Sequence, residues 1–499
     1  MRPIAPSDIQ RRIERDNPWW TSPGKKLPED AFPRRVYFEP FLSLALNYGV
    51  RRATVLLGPR RVGKTVMIKQ LVQESINRGI SPSCVMYVSI DTPIYSGILL
   101  EKFLEFMPTS EASEQKLIIF DEIQYLRDWE VHLKDLVDSN PQTKFIASGS
   151  AAAALRLKSR ESGAGRFSDF MLPPLTFYEF LLFLNEDHLV IENEKNEYRA
   201  TDLEKLNLRF IDYLNFGGYP EAVLNDQIRA DPEQFIKNDI IDKVLLKDLP
   251  SLYGIDEIQE LNRLFSFLAY NAGSEASLEN ISQESGLAKP TIKKYIEYLE
   301  SAFLIIKLTT VDDNCRTMKR ERNFKIYLNN PSMRAALFAP VESTDSERIG
   351  HLTESAIFSQ WQHSFHFKNL RYARWRNEGE VDIVSLEGAN QRPGWIGEIK
   401  WSDRIKTKFS EETRGIAALL RKHPSIKSAF FTTKTLSGTI TVEGHQVKLS
   451  PSAVYCYTVG RNITKDIGLF SGPVSSEEDE ISEKDSEEDL ISPNDEVAD

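Results

Sequence analysis

Short apolar runs at 53–57 (ATVLL), 84–91 (CVMYVSID), 117–121 (LIIFD) and 144–148 (KFIAS) alternate along the chain with amphipathic stretches of helix length. That alternation predicts buried parallel strands joined by crossover helices, an α/β core over 36–175 behind an amino-terminal extension, 1–35. Beyond Pro173 the period lengthens. LTFYEFLLFL and LNLRFIDYLNF space aromatics and leucines along one helical face, broken by the turn Gly217-Gly218-Tyr219-Pro220, so a helical subdomain is expected over 176–255.

The texture changes again over 256–330. ENISQESG predicts a short helix stopped at Gly286, and KPTIKKYIEYLESAFLI a second helix with Pro290 in its first turn. LIIKLTT and FKIYL then predict two strands around a basic turn. Helix, tight turn, helix and hairpin make a winged helix. Over 340–460 a long helix (TESAIFSQWQHS) precedes strands LRYARW, EVDIVSL, GWIGEIKW, AFFTT and AVYCYTV, with a helix near 411–422; this predicts a separate α/β domain. The segment 471–499 has twelve acids, one lysine and almost no large apolar side chain, too little to bury, and is expected to be a disordered acidic tail.

Charge arithmetic changes the picture of partners. The 499 residues carry 62 Lys+Arg and 73 Asp+Glu, a net charge of −11. Without the tail, 61 of each sign remain (62 − 1 and 73 − 12), so the body is neutral and the acidic balance does not exclude a nucleic-acid partner. Three scattered cysteines, Cys84, Cys315 and Cys456, show no disulfide or zinc-ribbon spacing, which points to a reducing, cytoplasmic location. No apolar block suits a secretory signal, and no run reaches the roughly 18 residues of a membrane span, so no membrane partner is expected.

Gly58-Pro59-Arg60-Arg61-Val62-Gly63-Lys64-Thr65 follows an apolar strand and opens a helix, as the phosphate-binding pattern G-x-x-x-x-G-K-[ST] requires. The loop's N–H groups can wrap an anion, Lys64 can reach the β and γ phosphates of ATP, and the Thr65 hydroxyl can ligate Mg²⁺. Asp121 and Glu122 end a buried strand at the edge where such sheets bind ligands, which suits Asp121 to the Mg²⁺ shell and Glu122 to the attacking water. Ser150 follows another strand, as a nucleotide sensor or as a helix cap. Arg166 could neutralise γ-phosphate charge in its own or a neighbouring subunit, which leaves a homo-oligomer open, or could form a structural ion pair.

GPRRVGKT, LIIFDEIQ with Trp129 following, SGS, GRFSDFMLPPLTFYEF and FGGYPEAV, in that order over about 36–400, resemble the prokaryotic AAA-type ATPases that carry a carboxyl-terminal domain of unknown function. The resemblance implies ATP binding by a P-loop AAA-type core, followed by a helical subdomain, a winged helix and a restriction-endonuclease-like α/β domain.

In the carboxyl-terminal region, Asp382 and Glu398 fall on neighbouring strands, with Glu398 and Lys400 on one face. If the strands pair as a hairpin, the two carboxylates can hold Mg²⁺ while Lys400 orients water or stabilises charge. Salt-bridged acids and a lysine on a solvated strand face would give the same pattern. The set resembles the D…(D/E)-x-K pattern of the PD-(D/E)xK nuclease superfamily, with Glu354 matching its auxiliary acid. Arg316, Lys319, Arg320, Arg322 and Lys325 in the wing, and Lys289, Lys293 and Lys294 in the second helix, could pair with DNA phosphates, with Thr291 or Lys293 near base edges; a rigid joint between domains is the alternative. His363 and His366 have no third ligand in view and are expected to be ordinary surface or packing residues.

The expected function is therefore an ATP-hydrolysing protein acting on nucleic acid, DNA before RNA, with ATP controlling a Mg²⁺-dependent nuclease-like domain. A nucleotide-controlled DNA-binding switch with an inert nuclease-like domain, and an ATP-driven protein remodelling factor, are the competing expectations.

Overall fold

A computed structural model describes residues 5–109, 114–149, 165–194, 197–231, 233–312, 315, 323–362, 364–375, 378–388 and 391–466. Strands β1 (Ala53–Leu57), β2 (Val85–Ser89), β3 (Lys116–Asp121), β4 (Thr143–Gly149) and β5 (Phe167–Met171) form one sheet in the order β2-β3-β4-β1-β5. Every pairing in it is parallel. Both faces are covered, as continuous apolar runs demand: Val55, Ile118 and Phe120 pack against the helix Trp129–Ser139, while Leu56, Leu117 and Ile119 pack against the helix Lys64–Asn77.

The amino-terminal segment is part of this core. Edge strand β2 leaves backbone groups without a neighbouring strand, and side chains satisfy them. Asn17 accepts from the Tyr87 N–H at 2.6 Å and donates to its carbonyl at 2.9 Å. The indoles of Trp19 and Trp20 both donate to the Val85 carbonyl. Deeper in, the buried Arg35 guanidinium makes a two-point ion pair with Glu179 at 2.7 and 2.9 Å and donates to the carbonyls of Val62 and Pro173.

Beyond the sheet, Thr176 and Glu179 form a capping box on the helix Phe177–Phe183. A hairpin of β6 (Val190–Glu192) and β7 (Tyr198–Ala200), the helix Leu203–Phe216, and π-helical turns at Glu233–Asp242 and Val244–Asp248 follow. Strands β8 (Glu275–Ser277), β9 (Ile305–Thr309) and β10 (Asn323–Leu328) make an antiparallel sheet in the order β8-β10-β9, beside the helices Leu278–Ser285 and Lys289–Ser301.

Last comes a six-stranded mixed sheet in the order β11-β12-β13-β14-β16-β15. Its strands are β11 (Leu370–Trp375), β12 (Gly379–Glu387), β13 (Arg392–Glu398), β14 (Ser428–Thr433), β15 (Gly438–Val442) and β16 (His445–Pro451). The helix Arg414–Lys422 covers one face. The helices Ser346–Trp361 and Ser452–Asp466 share a core with the helix Phe177–Phe183 on the other. The run AVYCYTV is thus helical, not the expected strand. Ala453, Val454, Cys456, Tyr457 and Val459 are its buried residues, a helical spacing that its β-branched and aromatic content disguises. The hairpin β15–β16, joined at Glu443-Gly444, stands where the sequence reading placed no strand.

Candidate functional site

Two clusters of ionisable side chains stand out, one in each half of the molecule. The first lies at the carboxyl edge of the parallel sheet. Gly58 leaves β1 so close to the next strand that a Cβ there would sit 2.0 Å from the Leu172 carbonyl oxygen, which excludes any side chain. Lys64 bends over the loop and donates to the carbonyls of Gly58 at 2.9 Å and Pro59 at 2.7 Å. Burial lowers its pKa, against the pull of Glu122 and Asp121.

Asp121 collects hydroxyl donors. Thr65 Oγ1 and Tyr87 Oη each donate to Oδ2 at 2.9 Å, and Ser148 Oγ donates to Oδ1. Tyr87 was not singled out in the sequence and Ser148 entered only within the SGS run; the available signal was a polar side chain inside β2 and another near the end of β4. Adjacent hard oxygens on Thr65 and Asp121 fit Mg²⁺, which takes a few protein oxygens and completes its shell with water and phosphate. Glu122 stands beside them, its pKa raised chiefly by burial.

The arginines of the loop pair with acids from the helical stretch beyond the sheet. Arg60 makes a two-point ion pair with Asp248, and Arg61 reaches Glu221 and Asp239, each at 3.0 Å. Arg166 takes the second of its two expected roles, a structural ion pair. It precedes β5, whose first residue pairs with Ala53 at the start of β1, so it lies at the opposite edge of the sheet, one strand length or about 16 Å from the phosphate loop. There it pairs with Asp138, and it cannot reach a phosphate held by its own loop. Ser150 lies outside the described residues.

The second cluster forms where β12 and β13 pair antiparallel, Ile383 opposite Gly397, which brings Asp382 beside Glu398. Lys400 Nζ lies 2.5 Å from Glu398 Oε1 and 3.5 Å from Asp382 Oδ2, and the Ile399 N–H donates to the same Asp382 oxygen at 2.9 Å. Glu354 joins from the helix Ser346–Trp361, accepting from Tyr327 Oη at 2.9 Å. Asp382, Glu398 and Lys400 from the strand pair and Glu354 from the preceding helix therefore come together.

Lys325 is a correction. Expected on an exposed basic wing, it is 3% exposed and points into this cluster. Its Nζ is 3.3 Å from Asp382 Oδ1 and 3.5 Å from Glu354 Oε2, and it pairs with Glu380. Burial alone would push the Asp382 carboxyl up, but the ammonium groups of Lys400 and Lys325 outweigh it and hold it low, at about 2. Burial and the Asp382 charge push Glu398 the other way, to about 8. Both Asp382 oxygens face lysines, and among the described residues no three His, Cys, Asp or Glu side chains are grouped to hold a metal ion. As folded, the second cluster does not fit Mg²⁺.

Lys289, Lys293 and Lys294 are exposed on the helix Lys289–Ser301; Lys289 pairs with Glu279. Arg316, Lys319, Arg320, Arg322 and His363 lie outside the described residues, as does the side chain of His366. No helix among the described residues is long and apolar enough to cross a membrane.

Residues 50–181 match a family described as an AAA domain, and residues 207–345 match a domain of unknown function, DUF8612. An uncharacterized protein of Haemophilus influenzae is 28% identical over 267 residues, 52% of this chain and 62% of its own length. The chain thus spans less than two thirds of that relative. An uncharacterized protein of Methanocaldococcus jannaschii is 24% identical over 338 residues, 66% of this chain and 71% of its own. Among solved structures, the Walker-type ATPase PABY2304 of Pyrococcus abyssi aligns over 63% of this chain and 97% of its own at 16% identity and a TM-score of 0.36. The matched residues 50–181 coincide with the parallel five-stranded sheet and its phosphate loop, so this region has the α/β fold of an AAA-type P-loop domain.

Proposed function

We propose that this chain binds and hydrolyses ATP with Mg²⁺, and that nucleotide state governs a carboxyl-terminal half directed at nucleic acid. The observation that carries the reading is the meeting of the phosphate loop, Thr65 and Asp121 at one sheet edge, with Glu122 beside them. Loop N–H groups and Lys64 receive the phosphates, and Lys64 gives up the carbonyls of Gly58 and Pro59 to do so. Thr65 and Asp121 would hold Mg²⁺, which supplies charge neutralisation at the β and γ phosphates. Glu122, made more basic by burial, accepts the proton of the attacking water.

The helices Leu278–Ser285 and Lys289–Ser301 with the sheet β8-β10-β9 support a winged-helix reading, with Lys289, Lys293 and Lys294 on an exposed face that can meet phosphates. Asp382, Glu398, Lys400 and Glu354 support a nuclease-like centre, and the lysine-filled state of that cluster favours a second reading in which this half binds nucleic acid without cutting it.

One experiment separates them: protein incubated with plasmid, linear and single-stranded DNA and with RNA, in Mg²⁺ or Mn²⁺, with and without ATP, beside Lys64→Ala. ATP-dependent cleavage lost in Lys64→Ala supports the first reading. Nucleic-acid affinity that shifts with ATP, without cleavage, supports the second. Neither cleavage nor salt-sensitive binding would overturn both.

A further inference from the structure

The helix behind the phosphate loop carries a lysine that ATP hydrolysis as described above does not use. Lys69 lies one turn beyond Thr65, on the same helical face. Its ammonium stands over the Tyr87 ring, 3.3 Å from the centroid, with the Trp19 ring 5.4 Å away. Among the described residues it forms no ion pair, so these ring faces are its electrostatic support. Trp19 lies ahead of the matched residues 50–181 and is fixed by the bond from its indole to the Val85 carbonyl, while Asn17 holds the Tyr87 backbone through both its N–H and its carbonyl. The amino-terminal segment thus helps to build the cage.

Tyr87 connects that cage to the ATP site. Its Oη donates at 2.9 Å to Asp121 Oδ2, the oxygen that also accepts from Thr65. A positive charge on the face of the ring draws electron density from the phenol oxygen and strengthens this donation, as linked polar groups polarise one another. Hydrogen bonds made to a metal-ligating carboxylate from behind set its orientation and its affinity for the ion.

We infer that Lys69 is a positioning residue of the ATP site, fixing Asp121 for Mg²⁺ through the Tyr87 ring. The inference rests on the ATPase reading and adds to it a cation that acts only through another side chain. Burial brings the Lys69 amine down to about 8, against the pull of Glu29, Asp121 and Asp16. The ammonium is present below that pH and lost above it, so its effect fades as pH rises through about 8.

The test uses the full chain and a fluorescent ATP analogue, titrated with and without Mg²⁺; the gain in affinity that Mg²⁺ brings is the readout. Near neutral pH, Lys69→Met should reduce that gain about three- to ten-fold and Tyr87→Phe about ten-fold, and the double variant should lose no more than Tyr87→Phe alone. Lys69→Arg should restore the gain. The gap between the unaltered protein and Lys69→Met should close as pH rises through about 8, while the gap between Lys69→Arg and Lys69→Met stays open. An unchanged gain in Lys69→Met, or losses that add in the double variant, would overturn the inference. A second readout needs no nucleotide: acetic anhydride labelling across pH, followed by mass spectrometry, gives the titration midpoint of Lys69. It should fall in Asp121→Asn, where a charge that raises it is gone, and an unmoved midpoint would also count against the inference. An unaltered protein that binds no nucleotide would sink the ATPase reading and this one with it, whereas a Mg²⁺ gain indifferent to Lys69 sinks this one alone.

Discussion

Arg60 in the phosphate loop and Asp248 in the helical stretch beyond it face each other in a two-point ion pair, Nε and Nη2 each 2.7 Å from a carboxylate oxygen. The pair is largely shielded, with 19% and 10% of the two side chains exposed. A loop that must rearrange around phosphates is therefore tied to a segment nearly two hundred residues away in sequence.

Asp248→Ala leaves the Arg60 guanidinium without its main acceptor, and should cost about 1–3 kcal/mol of stability. Denaturant unfolding without nucleotide reads this loss directly. A change confined to the nucleotide-bound state would show that the pair does not hold the resting loop.

Lys64→Ala should weaken ATP binding by about ten-fold or more, because a charge-assisted contact to phosphate is lost. Glu122→Gln should keep that affinity and slow hydrolysis by about 100-fold or more, since the amide cannot take the proton. Binding of a fluorescent ATP analogue and phosphate release check the two halves. Ordinary turnover by Glu122→Gln would remove that residue from the chemistry.

Arg35 and Glu179 are a fully buried pair, so removing one charge strands the other. Arg35→Met should cost about 3–5 kcal/mol, while Arg35→Met with Glu179→Leu should recover part of the loss. Chemical denaturation of the single and double variants measures both.

Glu186 is held down to about 2 from its ordinary 4.5 by its hydrogen bond to Arg209, against a smaller effect of burial. A depressed carboxyl contributes stability that is fully present above its unfolded value and is lost as pH falls through its folded one. The stability gap between the unaltered protein and Arg209→Gln should thus be constant above pH 4.5 and close as pH falls toward about 2. Unfolding midpoints measured across that range test it; a gap that widens on acidification would refute the assignment.

What the sequence made legible was what local pattern determines. The apolar runs ending in Gly58 and in Asp121-Glu122 announce buried strands with chemistry at their ends, and the period-two placement of Glu398 and Lys400 announces a shared face. The partners that complete each site were hidden because they depend on how distant segments pair. Tyr87 and Ser148 reach Asp121 only because β3 lies between β2 and β4. Lys325 sits next to a basic turn and so suggests solvent, yet a lone lysine inside the apolar strand FKIYL was a sign of a buried, paired charge. AVYCYTV was misleading for the opposite reason, its strand-forming composition being overridden by tertiary burial along one helical face.

The meeting of distant segments at the helix Phe177–Phe183 bears on how the molecule comes apart. Gln360 accepts from the Phe177 N–H at 2.9 Å, and Gly460 passes so near the cap that a Cβ would lie 3.0 Å from the Thr176 Cβ. Less than one turn further on, Glu179 of the same helix grips Arg35, which grips the phosphate loop at Val62. Residues near 35, 62, 179, 360 and 460 thus close a circuit rather than a string of beads. A cut between the halves would expose this junction on both fragments, so the described body should melt in one cooperative transition, and neither half should survive limited proteolysis as a stable piece.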